Sequence, residues 1–157
     1  MLMRASEYEF HNLEKLDGIL VKLCKMVIDG QKSGEDYGMV AAAVVDNDNN
    51  MVARLNVPVG EKRMHAEHTA LNAYREKYGE PEAGSIIITT CSPCNEDMDE
   101  RYGESCTNLI NQSKIRKVYC GFHDPSQSND NNEFILKVTE NKKINELCAK
   151  FADTFLN

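Results

Sequence analysis

Met39-Val40-Ala41-Ala42-Ala43-Val44-Val45 is an unbroken apolar run of seven residues. A strand with one face in water alternates apolar and polar residues, so an uninterrupted run suits a strand covered by helices on both faces. Asp46-Asn47-Asp48-Asn49-Asn50 follows as a turn cluster, and Met51 to Val57 reads as the return strand of a hairpin, broken by Pro58 and Gly60. Upstream, Leu13, Leu16, Ile19, Leu20, Leu23 and Val27 recur at helical spacing, which predicts an amphipathic helix from about Glu7 to Ile28. Gly30 to Asp36 reads as a polar loop.

Downstream, Ala66, Thr69, Ala70, Ala73 and Tyr74 share one face of a helix over His65 to Tyr78, ended by Gly79, Pro81 and Gly84. Ile86-Ile87-Ile88 is a short buried strand. Ser105 is a good N-cap for a helix carrying Cys106, Leu109 and Ile110. Val118 to Phe122 is a strand, Asp124 to Asn132 a solvated loop, and Phe134 to Val138 a fifth strand. Lys142 to Leu156 closes with a helix built on Ile144, Leu147, Cys148, Phe151 and Phe155. The order is helix, hairpin, helix, strand, helix, strand, strand, helix, with no repeat and no linker. It predicts one α/β domain over residues 1–157, a three-layer α/β/α fold with a five-stranded mixed sheet flanked by helices.

The chain has 157 residues, 18 basic and 25 acidic, for a net charge of −7. That balance excludes a generally basic nucleic-acid binder, though not a local basic patch. An apolar run of seven residues is far short of the roughly 20 a membrane helix needs. The N-terminus has no apolar core followed by a cleavage site, so no secretory signal is expected. The six cysteines are therefore expected as reduced thiols in the cytoplasm. Cys24, Cys120 and Cys148 lie on apolar stretches and read as packing residues. Cys91, Cys94 and Cys106 remain for chemistry.

His65-Ala66-Glu67, Ser92-Pro93-Cys94 and Cys106 are the sharpest constellation. Two thiolates and one imidazole fill three positions of a tetrahedral Zn²⁺ and leave the fourth for water, whose pKa such a centre lowers to about 7. Glu67 lies in the same first helical turn as His65. A carboxylate there can serve that water as proton shuttle without binding the metal. Cys91 and Cys94 also form C-x-x-C, which suits a redox pair, or half of a zinc knuckle for which no second half exists.

This constellation resembles the cytidine/deoxycytidylate deaminase superfamily of zinc enzymes, whose signature is His-x-Glu followed by Pro-Cys-x-x-Cys. His65-Ala66-Glu67 and Pro93-Cys94 match directly. The second cysteine departs, because the usual spacing falls on Asp97 and the next cysteine is Cys106, twelve residues after Cys94. Asn95 to Glu104 then contains an inserted loop of about nine residues relative to that signature. Ser105 restarts the helix and places Cys106 in its first turn, where an anionic thiolate is favoured. A widened gap is similar to that of the riboflavin-pathway deaminases, as is the strand and Asp-Pro pair of Lys117 to Pro125. Asn56-Val57-Pro58-Val59-Gly60, nine residues ahead of His65, resembles a stretch of the bacterial tRNA adenosine deaminases, as does the region from Val138 to Phe151.

The resemblance implies one Zn²⁺ per chain on His65, Cys94 and Cys106, with Glu67 as the catalytic group. Asn56, Ala66 and Pro93 would contact substrate, with Asn56 reading the base and the backbone at Ala66 and Cys94 facing the reacting group. The implied reaction is hydrolysis of a cyclic amidine C–N bond, releasing an exocyclic amine as ammonia. A homodimer or tetramer is also implied. Cys91 is expected near the site but not on the metal. His68 reads as a surface or packing residue, His123 as a candidate for the pocket mouth, and His11 has no evident partner. Lys114-Ile115-Arg116-Lys117 reads as a solvated helix end in preference to a phosphate site. The acidic run Glu96, Asp97, Asp99, Glu100 and Glu104 would repel a nucleic-acid backbone. The chain has no Trp and no interleaved basic and aromatic residues for stacking single strands. A free aminopyrimidine or purine base, nucleoside or nucleotide is therefore expected as substrate, ahead of tRNA or single-stranded DNA. A non-catalytic zinc module and a C-x-x-C thiol redox protein are the readings from other classes.

Overall fold

All five residues of β1 (Ala41–Val45) are buried, as the apolar run predicts. The computed structural model describes residues 9–32, 39–59, 62–94, 105–125 and 132–156. β1 pairs antiparallel with β2 (Met51–Leu55) across the Asp46–Asn50 turn, with Ala43 opposite Ala53. Asp46 closes that turn through Oδ1, which accepts from the backbone N–H of Asp48 and of Asn50, both at 2.9 Å.

A second two-stranded sheet follows that the sequence did not predict. β3 (Val57–Val59) pairs with β4 (Lys62–Met64), and Pro58, expected to break the strand, stands opposite Arg63. A two-stranded sheet is all edge, so the missing N–H of a proline is tolerated there. Next come α2 (Ala66–Tyr78), β5 (Ile86–Cys91), α3 (Cys106–Gln112), β6 (Lys117–Phe122) and β7 (Ile135–Val138). The main sheet runs β2-β1-β5-β6-β7. β1 and β5 are antiparallel, while β5–β6 and β6–β7 are parallel, so the sheet is mixed.

Alternation sends the two faces of each central strand to different helices. Ala41, Ala43, Val45, Ile86, Ile88 and Tyr119 pack under α1 (Leu13–Lys32) and α4 (Lys142–Leu156), against Leu20, Leu23, Val27 and Phe151. Ala42, Val44, Ile87 and Val118 pack on the other face under α2 and α3, against Ala70, Leu71, Tyr74 and Ile110. The result is the expected three-layer arrangement. Asp17 ties α1 to the far strands, since its Oδ1 accepts from the hydroxyls of Tyr119 at 2.6 Å and Thr139 at 2.7 Å.

Two boundaries differ from the sequence reading. α1 begins at Leu13, where the reading had helix from Glu7, because Asn12 has a left-handed backbone (φ 53°) and its carbonyl accepts from Lys15 and Leu16. Asn is among the few residues that adopt that conformation at low cost. α1 also runs through Gly30, which had been expected in a loop. A Cβ at Gly30 would lie 2.6 Å from the Met39 sulfur, so the glycine lets the chain entering β1 cross close to the helix.

The basic run is likewise no solvated helix end. Lys114 is exposed, Ile115 and Lys117 are buried, and the Arg116 guanidinium donates to the carbonyls of Ser113 (2.8 Å) and Ile115 (2.9 Å). The expected loop insertion at 95–104, the loop residues 126–131, Ser33 to Asp36, Gly60 and Glu7 lie outside the described residues. Among the described residues no helix is long and apolar enough to cross a membrane.

Candidate metal centre

His65 is the N-cap of α2, with extended backbone (φ −63°, ψ 152°), and its carbonyl accepts the first helical bond from Thr69 at 3.0 Å. Glu67 follows in the first turn and is only 5% exposed. β5 delivers the second element. Beyond Cys91 the chain stays attached to β6, through Ser92 N–H donating to Phe122 O and Asp124 N–H donating to Ser92 Oγ, both at 2.9 Å. That tether carries buried Pro93 and then Cys94 to the start of α2. α3 supplies the third element. Ser105 caps it by accepting from Asn108 N–H at 3.1 Å, which places Cys106 first in the helix, as the sequence predicts. The opening amides of α3 then serve Cys94: Cys106 N–H points at Cys94 Sγ (3.4 Å) and Thr107 N–H donates to Cys94 O (3.0 Å).

His65, Cys94 and Cys106 converge. Their ligand atoms lie within 4.8 Å of one another. His65 Nδ1 is 3.3 Å from Cys94 Sγ and 3.4 Å from Cys106 Sγ. A tetrahedral zinc with ordinary Zn–S and Zn–N bonds separates sulfur from nitrogen by about 3.5 Å. The donor set and its spacing fit zinc, and three ligands leave one tetrahedral position open.

The electrostatics set the two thiols apart. The Cys106 thiol hydrogen-bonds to Cys94 and, with His65 beside it, lowers the Cys94 pKa to about 4 despite burial. The same bond, with burial, pushes Cys106 up, so the favoured thiolate is Cys94 and not, as the helix start predicts, Cys106, whose complete burial outweighs its place at the start of α3. Burial raises the Glu67 pKa, opposed by His65. Glu67 Oε1 accepts from the Thr89 hydroxyl at 2.9 Å, and Oε2 lies 3.5 Å from the Cys106 sulfur. Glu67 thus sits against the three-residue cluster without belonging to it.

Thr89 is the site residue the sequence reading missed. It is fully buried, and its hydroxyl also lies 2.8 Å from Cys91 O. The available signal was a pair of polar residues, Thr89-Thr90, inside an apolar strand one step before the cysteines. Cys91 is buried on the same strand face as Thr89 and outside the three-residue cluster. Burial pushes its thiol up to about 12. Cys94 faces Cys106 and His65, so the C-x-x-C reading loses its pair.

Ala66 is fully buried at the start of α2. Asn56 is also buried. Its Oδ1 accepts from Val40 N–H at 3.1 Å, and its own N–H donates to Val40 O at 3.1 Å, which anchors the chain between β2 and β3. His68 is half-buried with its Nδ1 orphaned, and His123 is half-buried after β6. His11 is exposed, 3.5 Å from Glu9.

Three solved structures share the architecture. A diaminohydroxyphosphoribosylaminopyrimidine deaminase/5-amino-6-(5-phosphoribosylamino)uracil reductase from Thermotoga maritima matches 93% of this chain at 24% identity, with a TM-score of 0.65. RibD from Acinetobacter baumannii matches 92% at 17% identity (TM-score 0.63). The chain spans only 42% and 40% of the lengths of those two proteins. A dCMP deaminase from the cyanophage S-TIM5 matches 78% of this chain and 98% of its own length, at 21% identity and a TM-score of 0.53. No curated protein matches in sequence. The family model for the cytidine and deoxycytidylate deaminase zinc-binding region matches residues 18–122, which takes in His65, Glu67, Cys94 and Cys106. With two sulfurs and a nitrogen converging at zinc spacing inside that match, the chain belongs to the cytidine and deoxycytidylate deaminase family.

Proposed function

We propose that this protein is a hydrolytic deaminase that removes an exocyclic amino group from a free pyrimidine, purine or related ring, as base, nucleoside or nucleotide. The observation that carries the reading is a buried carboxylate, Glu67, held against an S₂N cluster that fits zinc. His65, Cys94 and Cys106 hold the zinc, which when bound supplies Lewis-acid activation of water. Glu67 accepts a proton from the attacking water, delivers it to the ring nitrogen, and protonates the departing amine. Its burial suits that work, because a raised pKa makes it able both to take and to give a proton. Thr89 holds Oε1 and so aims the carboxylate. The backbone at Ala66 and Cys94, with Pro93, lines the reacting group, and Asn56 contributes to base recognition from its anchored position beside β1.

A small-molecule substrate is supported by the net charge of −7. The activities named for the Thermotoga and cyanophage proteins point the same way. Six thiols suit a reducing compartment, and we assign the protein to the cytoplasm.

The test is metal content and ammonia release, for wild type and for Cys94→Ala, Cys106→Ala and Cys91→Ala, over a panel of cytosine, adenine, guanine and pterin-type compounds. One zinc per chain is expected, lost with Cys94 or Cys106 and kept with Cys91, with ammonia released from a small compound. Ammonia from tRNA or single-stranded DNA alone would overturn the substrate class. A wild type that holds no zinc would overturn the whole reading.

A further inference from the structure

Two of the thiols outside the metal centre meet each other. Cys24 on α1 and Cys148 on α4 are both buried, and their sulfurs are 3.5 Å apart across the contact between the two helices. Cys24 lines an apolar cleft of about 310 Å³ between those helices, beside Val21, Ile28, Ile144 and Leu147. Val21 is 54% exposed, so the cleft meets solvent, and Cys24, 3% exposed, lines it while Cys148 does not. Cys148 lies deeper, at 0% exposure, with its sulfur against Gly121 of β6. A Cβ at Gly121 would collide with that sulfur and come within 2.9 Å of the Cys148 Cβ. The hydrogen bond between the two thiols lowers the pKa of Cys24 and raises that of Cys148, which makes Cys24 the more nucleophilic at neutral pH.

We propose that Cys24 and Cys148 form an oxidation site, at which a peroxide closes the pair into a disulfide joining α1 to α4. The Cys24 thiolate attacks the O–O bond, an S–O bond forms, and the leaving hydroxide takes up a proton as water. The Cys148 sulfur then attacks the Cys24 sulfur, the S–O bond breaks, and the departing hydroxide takes the Cys148 proton as a second water. Two thiols lose two electrons and one peroxide is reduced to two waters. The sulfurs, already 3.5 Å apart, must close to about 2.05 Å. Zinc engages Cys94 and Cys106 in the loaded protein, so the two chemistries are separable.

The experiment treats zinc-loaded protein with hydrogen peroxide at neutral pH, alkylates it in denaturant, and maps peptides without reductant. The expected result is a loss of about 2 Da, a peptide joining Cys24 to Cys148, and reversal by dithiothreitol. Cys24→Ser and Cys148→Ser, checked for folding by zinc content, should each abolish the joined peptide. The wild-type map decides by itself if either variant fails to fold. Recovery of Cys24 and Cys148 as alkylated thiols would overturn the proposal, as would oxidation confined to Cys91, Cys94 and Cys106.

Discussion

Glu67 and Thr89 show how much of a site rests on single contacts. The Thr89 hydroxyl has one hydrogen and two acceptors in reach, Glu67 Oε1 and the Cys91 carbonyl. Replacing it with Val leaves the carboxylate in place but unaimed. Thr89→Val should lower kcat by about 10-fold with zinc content and KM little changed, and Thr89→Ser should restore it. If Glu67 carries the proton as proposed, Glu67→Gln should lower ammonia release by about 10²–10⁴ with the three ligands in place and zinc retained. The thiol pair makes a separate prediction. Cys94 is lowered to about 4 and Cys106 is raised, so zinc uptake near neutral pH should displace about one proton from the pair, chiefly from Cys106. Calorimetric titration in two buffers of different ionisation enthalpy, comparing wild type with Cys106→Ala, measures it. The convergence of His65, Cys94 and Cys106 was legible in the sequence because metal chemistry restricts residue type, and Glu67 beside them because it shares the first turn of α2. Thr89 was not, because a threonine in a buried strand reads the same whether it packs or aims a neighbour.

At the scale of elements, α3 and β6 carry the most information. Ser105 caps a helix of seven residues whose first member is Cys106. Ser105→Ala should cost about 1 kcal/mol of stability, read from denaturant midpoints, and should weaken zinc binding as the first turn loosens. Gly121 is a glycine for reasons of space, since a Cβ there meets Cys148 and, at 3.3 Å, the Thr90 carbonyl. Gly121→Ala should destabilise the fold by about 1–3 kcal/mol by forcing α4 away from β6, measured in the same way. The closing helix over Lys142–Leu156 was legible to the residue, because its apolar positions repeat over four turns. The β3–β4 pair was not, since three-residue strands carry too little periodicity to separate from loop. The start of α1 depended on one asparagine adopting a left-handed backbone, which apolar spacing does not encode.

Across the whole molecule, the metal centre joins three pieces: the start of α2, the chain leaving β5, and the start of α3. Chelation should therefore lower the thermal midpoint, and zinc at about 100 times its dissociation constant should restore about 2.7 kcal/mol. That contribution should fade as pH falls, because protons compete for the two sulfurs and the imidazole. Scanning calorimetry with and without chelator at two pH values checks both. The sequence alone determined the layer order and the ligand types. A run of apolar residues can only be satisfied between two layers, and soft and borderline donors beside a helix start suit one kind of ion. Tertiary structure decided which cysteines meet. Cys91 and Cys94 are neighbours in sequence, but Cys91 stays buried at the end of β5 while the tether at Ser92 carries Cys94 onward to Cys106. Cys24 and Cys148, 124 positions apart, meet only because the sheet brings the first and last helices onto one face. Chain separation says nothing about distance once a sheet has folded.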